Sequence, residues 1–252
     1  MIHSGAIRFA ITLLFATPAL AETPTQVSSQ RLQSITIGTE PGFAPYIFTN
    51  AAGQITGFDR DMGDELCLRA RFDCTWVAVG FDQLIPGLAA GQFDLVIAGL
   101  TDTPERRQFV DFTSVYLGGG TTNFYVGHPG AADASTARIA VQAGTLQESY
   151  LLAQGLNCMG YPSNQAALDA VISGAADLAF GADAFMQHAT LSSHRDLRIL
   201  GQIDTEVTGA AIALGQHNDA LRARLDAVLT AMREDSTIDQ LAAKWFPVED
   251  DV

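Results

Sequence analysis

Thr103-Pro104-Glu105-Arg106 is the part of this chain best suited to receiving an anion. Threonine at an N-cap with proline at the next position predicts a helix starting there. Free backbone N–H groups at such a start, joined by a guanidinium that offers two parallel bonds, make a receptor for a planar carboxylate. A second helix start of the same kind is predicted at Gly144-Thr145-Leu146-Gln147-Glu148, where a T-x-x-E capping box follows the strand-like Ile139-Ala140-Val141. Both segments are also what ordinary helix caps look like, and Thr145 taken alone reads as no more than that. Other chemistries find no support. Lys244 is the single lysine, which leaves no candidate for a phosphate-loop or Schiff-base lysine, and no GxSxG or Ser-His-Asp order is present. The five histidines, His3, His128, His188, His194 and His217, show no ligand spacing, so neither a metal nor a cofactor is expected.

These loops need a scaffold, and the composition supplies one. The chain has 252 residues, 48% of them hydrophobic and only 17% charged, which excludes a disordered chain and allows one large domain or two modest lobes. A net charge of −14 opposes sequence-independent binding to phosphate backbones, so no nucleic-acid partner is expected. Ile7 to Leu20 is apolar or small apart from Arg8, Thr12 and Thr17, and runs into Ala19-Leu20-Ala21 before Glu22. That pattern is a secretory signal, residues 1–21, with an A-x-A cleavage site. A transmembrane anchor would need a longer apolar run. The expected product is an exported, periplasmic, soluble monomer.

Export makes the cysteines readable. Cys67 and Cys74 flank Leu68-Arg69-Ala70-Arg71-Phe72-Asp73, between a helical pattern and the strand-like Thr75 to Val79. In an oxidising compartment such a pair can staple a helix end to a strand start, the alternative being two free buried thiols. Cys158 is left over and reads as an inert buried thiol.

Strand and helix patterns alternate. Ser34 to Thr39 reads as a first strand, followed by a Gly/Pro loop, Glu40 to Tyr46, and by a helix from Asp59 to about Ala70. A helix from about Asp82 to Ala90, with Pro86 in its first turn, leads through Gly91 into the apolar Phe93 to Ala98. The run from Leu84 to Ile97 then has a counterpart from Ala167 to Phe180: a short apolar helix, a glycine, an aspartate three residues on, and an apolar strand. Two similar α/β lobes follow from this echo. Gly118-Gly119-Gly120-Thr121-Thr122 is the most permissive backbone between them, suited to a crossing or to a plain loop. Leu221, Leu225, Val228, Leu229 and Met232 stand at helical spacing and read as core packing.

Five motifs, in order, carry a resemblance: Gly57-Phe58-Asp59-Arg60-Asp61; Phe81-Asp82-Gln83-Leu84-Ile85-Pro86-Gly87-Leu88 with Gly91 and Asp94; Thr103-Pro104-Glu105-Arg106; Val110-Asp111-Phe112-Thr113 with Tyr116; and Val141-Gln142-Ala143-Gly144-Thr145. Together they resemble the periplasmic polar amino acid-binding proteins, solute-binding family 3 of ABC importers, from about Ile35 to Phe246. The Cys67/Cys74 pair sits where lysine/arginine/ornithine- and histidine-binding members carry a disulfide. The resemblance implies a two-lobed, type II Venus-flytrap α/β fold with two crossing strands. Lobe one would be residues 34–118 and 207–252, and lobe two residues 119–206.

It also implies a non-catalytic receptor that delivers an amino acid, cationic or strongly polar, to a membrane permease. By that similarity Arg106 clamps the α-carboxylate with help from Thr101 and Thr145, and Phe43 and Phe81 sandwich the side chain. The Gly99 backbone touches the α-amino group, and Glu40 and Asp59 face the distal end of the ligand, although Asp59 can equally be only a helix cap. Ala98 and Gly99 depart from serines found in several relatives and leave backbone contacts alone; Leu146 departs as well. The family's second-lobe strand usually ends in an aspartate for the α-amino group, a place taken here by Ala182, with Asp183 one residue late. Asp183 would reach the cleft through a bulge at Gly181, the plainer alternative being that it caps the helix beginning at Ala184. The runner-up function is an enzyme on the same scaffold, resembling cyclohexadienyl dehydratases, with Glu40 as a general acid. A sensory input domain is a third and less favoured option.

Overall fold

The computed structural model describes Met1 and residues 32–118, 122–192, 196–205 and 208–246. The signal segment 1–21 lies outside the described residues apart from Met1, as do 119–121 of the glycine-rich crossing and 206–207 at the expected return to lobe one.

Strand β1 (Gln33–Thr39) begins the fold and buries Ile35 and Ile37 on one face. Short strands β2 (Gly42–Phe43), β3 (Ile47–Thr49) and β4 (Ile55–Thr56) form an antiparallel sheet of their own, which carries the Glu40-to-Tyr46 loop. Helix α1 (Phe58–Arg69) leads to β5 (Phe72–Ala78), and α2 (Phe81–Ala89) to β6 (Leu95–Val96). Pro86 is the sixth residue of α2 rather than part of its first turn, because the helix opens at Phe81, directly after extended Gly80. At Thr103 the expected helix is a single 3-10 turn, Arg106–Gln108, since the chain must reverse at once into β7 (Val110–Phe112).

The second half repeats the plan. It runs β8 (Thr122–Gly127), β9 (Ile139–Gln142), α3 (Leu146–Ala153), β10 (Cys158–Tyr161), α4 (Asn164–Ile172), β11 (Leu178–Ala182), α5 (Asp183–Ser192) and β12 (Arg198–Asp204). The chain then returns to the first sheet with β13 (Ala213–Gly215) and closes with α6 (Asp219–Glu234) and α7 (Thr237–Trp245).

Two five-stranded sheets result, in the orders β5-β1-β6-β13-β7 and β10-β9-β11-β8-β12. In each, three parallel strands are followed by one antiparallel strand, β13 or β8, and by a last strand that pairs antiparallel with it. The echo seen in the sequence is a repeated device. After α2 and α4 the chain turns through Gly91 and Gly174 at φ 70° and 75°, left-handed values that glycine adopts without a Cβ clash. Asp94 and Asp177 then each accept, at 2.8 Å, a backbone N–H from the neighbouring strand edge, Thr36 in one half and Arg138 in the other.

Alternation along the strands puts a core on both faces of both sheets. Leu95 and Ile97 pack with α1 and α6 through Met62, Leu66, Leu225 and Leu229, while Val96 and Ala98 pack with Leu84 and Leu88 of α2. In the second sheet Ala140 and Ala179 face α4 and α5, and Ile139, Val141 and Phe180 face Leu151 of α3. Both faces of each sheet are covered, as parallel strands require. The amphipathic stripe of α6 is core, with Leu221, Leu225, Leu229 and Met232 buried.

Cys67 of α1 and Cys74 of β5 form a disulfide. Closing so short a loop stabilises by about 2 to 3 kcal/mol through the unfolded chain. The double variant Cys67→Ser/Cys74→Ser is expected to melt about 5 to 10 °C lower with ligand affinity unchanged, as differential scanning fluorimetry and calorimetry would show. A melting temperature equal to the wild type would refute this.

Candidate functional site

A cavity of about 100 Å³ is lined by loops of both sheets. The first sheet contributes Glu40, Phe43, Tyr46, Phe81, the Ala98-to-Thr101 loop and Arg106. The second contributes Asn123, Gln142, Thr145, Leu146, Gln147, Asn164 and Ala182, with Thr205 beside them.

The Ala98-to-Thr101 loop owes its shape to a carboxylate that never meets the cavity. Gly99 has φ 57°, and a Cβ there would press on the Phe43 ring, so the position demands glycine. Asp59, fully buried in the first turn of α1, accepts the Gly99 N–H at 2.6 Å and the Tyr116 hydroxyl at 2.8 Å. Burial pushes its carboxyl from 3.8 up to about 7, against the pull of those two donors. Asp59 is therefore a positioning residue behind the wall; the expectation that it faces the ligand is corrected. Its carboxylate takes the Gly99 N–H and leaves the loop's other atoms to the cavity. Asp59→Asn would turn an N–H group towards one of the two donors, and the expected cost is about 1 to 3 kcal/mol. Urea denaturation of the ligand-free protein would read this as a lower midpoint, and an unshifted midpoint would refute the role.

Arg106 follows at the 3-10 turn. Its guanidinium donates to the Thr101 carbonyl at 2.7 Å and, across to the second sheet, to the Gly144 carbonyl at 3.4 Å, and it stands 5.7 Å over the Phe81 ring. Desolvation draws its pKa from 12.5 down to about 10, which leaves it charged at neutral pH. Its hydrogen bonds go to carbonyls beside a ring face, and the neighbouring Glu105 carboxylate acts on it through charge alone. Facing it, Thr145 caps α3 by accepting the Glu148 N–H at 3.2 Å. The Glu148 carboxylate reaches back one residue beyond the N-cap and takes the Gly144 N–H at 2.7 Å.

Glu40, 8% exposed, is the other charged residue of the described lining. The Gly42 N–H and the Gln142 side chain hydrogen-bond its carboxylate, yet burial dominates and raises it from 4.5 to about 7. Its bond to Gln142 and the bond from Arg106 to Gly144 tie the two sheets together on either side of the cavity. Phe43 stacks on Tyr46 at 4.7 Å and meets Phe185 of α5 at 6.0 Å, a third contact between the two halves.

Eight residues singled out in the sequence line this cavity together: Glu40, Phe43, Phe81, Ala98, Gly99, Thr101, Arg106 and Thr145. Asp183 does not. Strand β11 keeps regular pairing with β8 from Leu178 to Ala182 with no bulge, so Ala182 faces the cavity. Asp183 opens α5, where its side chain accepts the Ala184 N–H at 2.6 Å. That bond to the adjacent N–H keeps Asp183 at the start of α5, without the bulge that would carry it into the cavity. Sequence reasoning missed Tyr46, Asn123, Gln142, Gln147 and Asn164. Gln142 lay inside a quoted motif, but nothing in an amide's spacing announces that it will be buried.

The two repeated α/β sheets with a polar cavity between their loops define a two-lobed periplasmic-binding-protein fold. The chain belongs to the bacterial extracellular solute-binding proteins, family 3, whose model matches residues 35–248. It is similar to the histidine-binding periplasmic protein of Salmonella typhimurium, at 29% identity over 96% of each chain. It is also 30% identical to the ABC transporter arginine-binding protein 1 of Escherichia coli, over 85% of this chain and 91% of that one. Among solved structures, a periplasmic His/Glu/Gln/Arg/opine family-binding protein from Silicibacter pomeroyi in complex with lysine superposes with a TM-score of 0.80 at 33% identity, over 86% of this chain and 99% of that one.

Proposed function

We propose that this chain is the extracytoplasmic receptor of an ABC importer and binds a polar or cationic amino acid or derivative in the cavity between its lobes. Lobe one is residues 34–118 with 207–252 and lobe two residues 119–206, and the segment 1–21 directs the chain to the periplasm and is removed. The observation that carries this reading is Arg106, a desolvated guanidinium whose bonds go to backbone carbonyls and which faces the N-terminus of α3 across the cavity. A ligand carboxylate completes it with charge-assisted bonds. Glu40 receives a cation, Phe43 and Phe81 flank the aliphatic stem, and the backbone at Ala98, Gly99 and Thr101 with the Thr145 cap orients the ligand. Relatives named for histidine and arginine support the ligand class. Closing the lobes on the ligand then presents one surface to the permease.

A thermal-shift screen against amino acids and their derivatives tests this. A ligand that binds only the folded state at one hundred times its Kd adds about 2.7 kcal/mol. Stabilisation by amino acids supports the receptor, and no stabilisation by any carboxylate ligand refutes it. One observation favours an enzyme instead: a buried Glu40 with a pKa near 7 has the property of a general acid. Turnover of prephenate or arogenate by the purified protein would decide for that reading.

A further inference from the structure

The charges facing the cavity are few. Among the described lining residues there is one carboxylate, Glu40, and one guanidinium, Arg106. They contact the second lobe at separate points, Gln142 and Gly144, so a bound solute meets them with separate groups. Neither nearby aspartate lines the cavity: Asp59 is sealed behind Gly99, and Asp183 stands at the start of α5, where one of its oxygens accepts the Ala184 N–H.

A free α-amino acid brings an ammonium one carbon away from its carboxylate, and therefore to the Arg106 end. The described second-lobe lining offers amides, the Thr145 cap and apolar groups that include the methyl of Ala182, and no carboxylate. Two of the four lining amide oxygens already accept a bond, Gln142 Oε1 from Asn164 Nδ2 at 2.7 Å and Asn123 Oδ1 from Gln147 Nε2 at 2.8 Å, and all four amides are neutral. An ammonium buried against such a wall loses its water without gaining a counter-charge. Arginine or lysine would bring two cations to a site with one carboxylate.

Building on the receptor reading above, we propose that the ligand is a carboxylic acid with a single cationic group at its far end and no free α-ammonium. Basic amino acids with a substituted α-nitrogen and ω-guanidino or ω-amino acids have this chemistry. The carboxylate meets Arg106, the distal cation meets Glu40, and the substituted or missing amine lies along the neutral wall at Ala182.

Titration calorimetry of the mature protein with L-arginine, Nα-acetyl-L-arginine and 5-guanidinopentanoate, which is arginine without its α-ammonium, tests this. The two analogues are expected to bind at least tenfold more tightly than L-arginine. In Ala182→Asp, which places a carboxylate on the wall, the ratio should shift at least tenfold towards L-arginine. If the native chain binds L-arginine as tightly as 5-guanidinopentanoate, and Arg106→Ala abolishes that binding, this inference falls and the receptor reading stands. If glutamine binds and neither analogue does, the single cation is an α-ammonium and the inference again falls. If no amino acid or analogue binds, both readings fall.

Discussion

Arg106→Ala is expected to weaken carboxylate-ligand binding by roughly two to three orders of magnitude while the protein still folds. Removing one partner of a buried ion pair costs about 3 to 5 kcal/mol, because the remaining charge is left desolvated. The native fold should tolerate the loss. The guanidinium's bonds to Thr101 and Gly144 are made to carbonyls of loops at the cavity edge, and its ring contact is to Phe81, itself part of the cavity lining. Arg106→Lys should recover only part of the affinity, since an ammonium is a point charge without the planar fork that matches a carboxylate. Calorimetry with circular dichroism checks both halves. Wild-type affinity in the alanine variant would remove Arg106 from the site.

Glu40→Gln is the second large effect. Truncating a buried, hydrogen-bonded charge facing a ligand cation costs about 2 to 5 kcal/mol, a loss of thirtyfold or more. Glu40 also gives binding a pH dependence whose sign follows from its pKa. With the free site's carboxyl raised to about 7, the group holds its proton below that pH, and a cationic ligand must expel it. Affinity is therefore expected to rise with pH up to about 7, to level off above it, and to fall by up to tenfold for each unit below. Among the described lining residues there is no histidine to confuse the profile. Glu40→Gln should bind weakly and flatly across pH 5.5 to 8. A wild-type profile that is also flat would mean that no ligand cation meets Glu40.

These two charges differ in how far the sequence alone could take them. Arg106 was readable because its neighbours Thr103 and Pro104 are local signals, although the helix they predict shrinks to one 3-10 turn before β7. The carboxylates were harder. Glu40, Asp59 and Asp183 are three acids near three turns, and their spacing does not distinguish them. In the structure Glu40 lines the cavity, Asp59 is turned inward onto Gly99 and Tyr116, and Asp183 stands at the start of α5, bonded to the Ala184 N–H.

What the sequence determined by itself is what near neighbours decide. Strand alternation, the glycine turns at Gly91 and Gly174, the Thr145 cap and the amphipathic stripe of α6 depend on interactions within a few residues, and their period or spacing is visible in the chain. The tertiary structure decided which polar groups share one cavity. Gln142 meets Glu40 across about one hundred residues of chain, Asn164 meets Gln142 across 22, and Asp59 meets Gly99 across 40. Such contacts arise when two sheets close on one another, because burial then obliges each polar group to find whatever partner the closure brings. The unbroken register of β11 shows the same division. The displacement of Asp183 by one residue was legible, but strand pairing with β8 decided that Ala182, and not a carboxylate, faces the cavity.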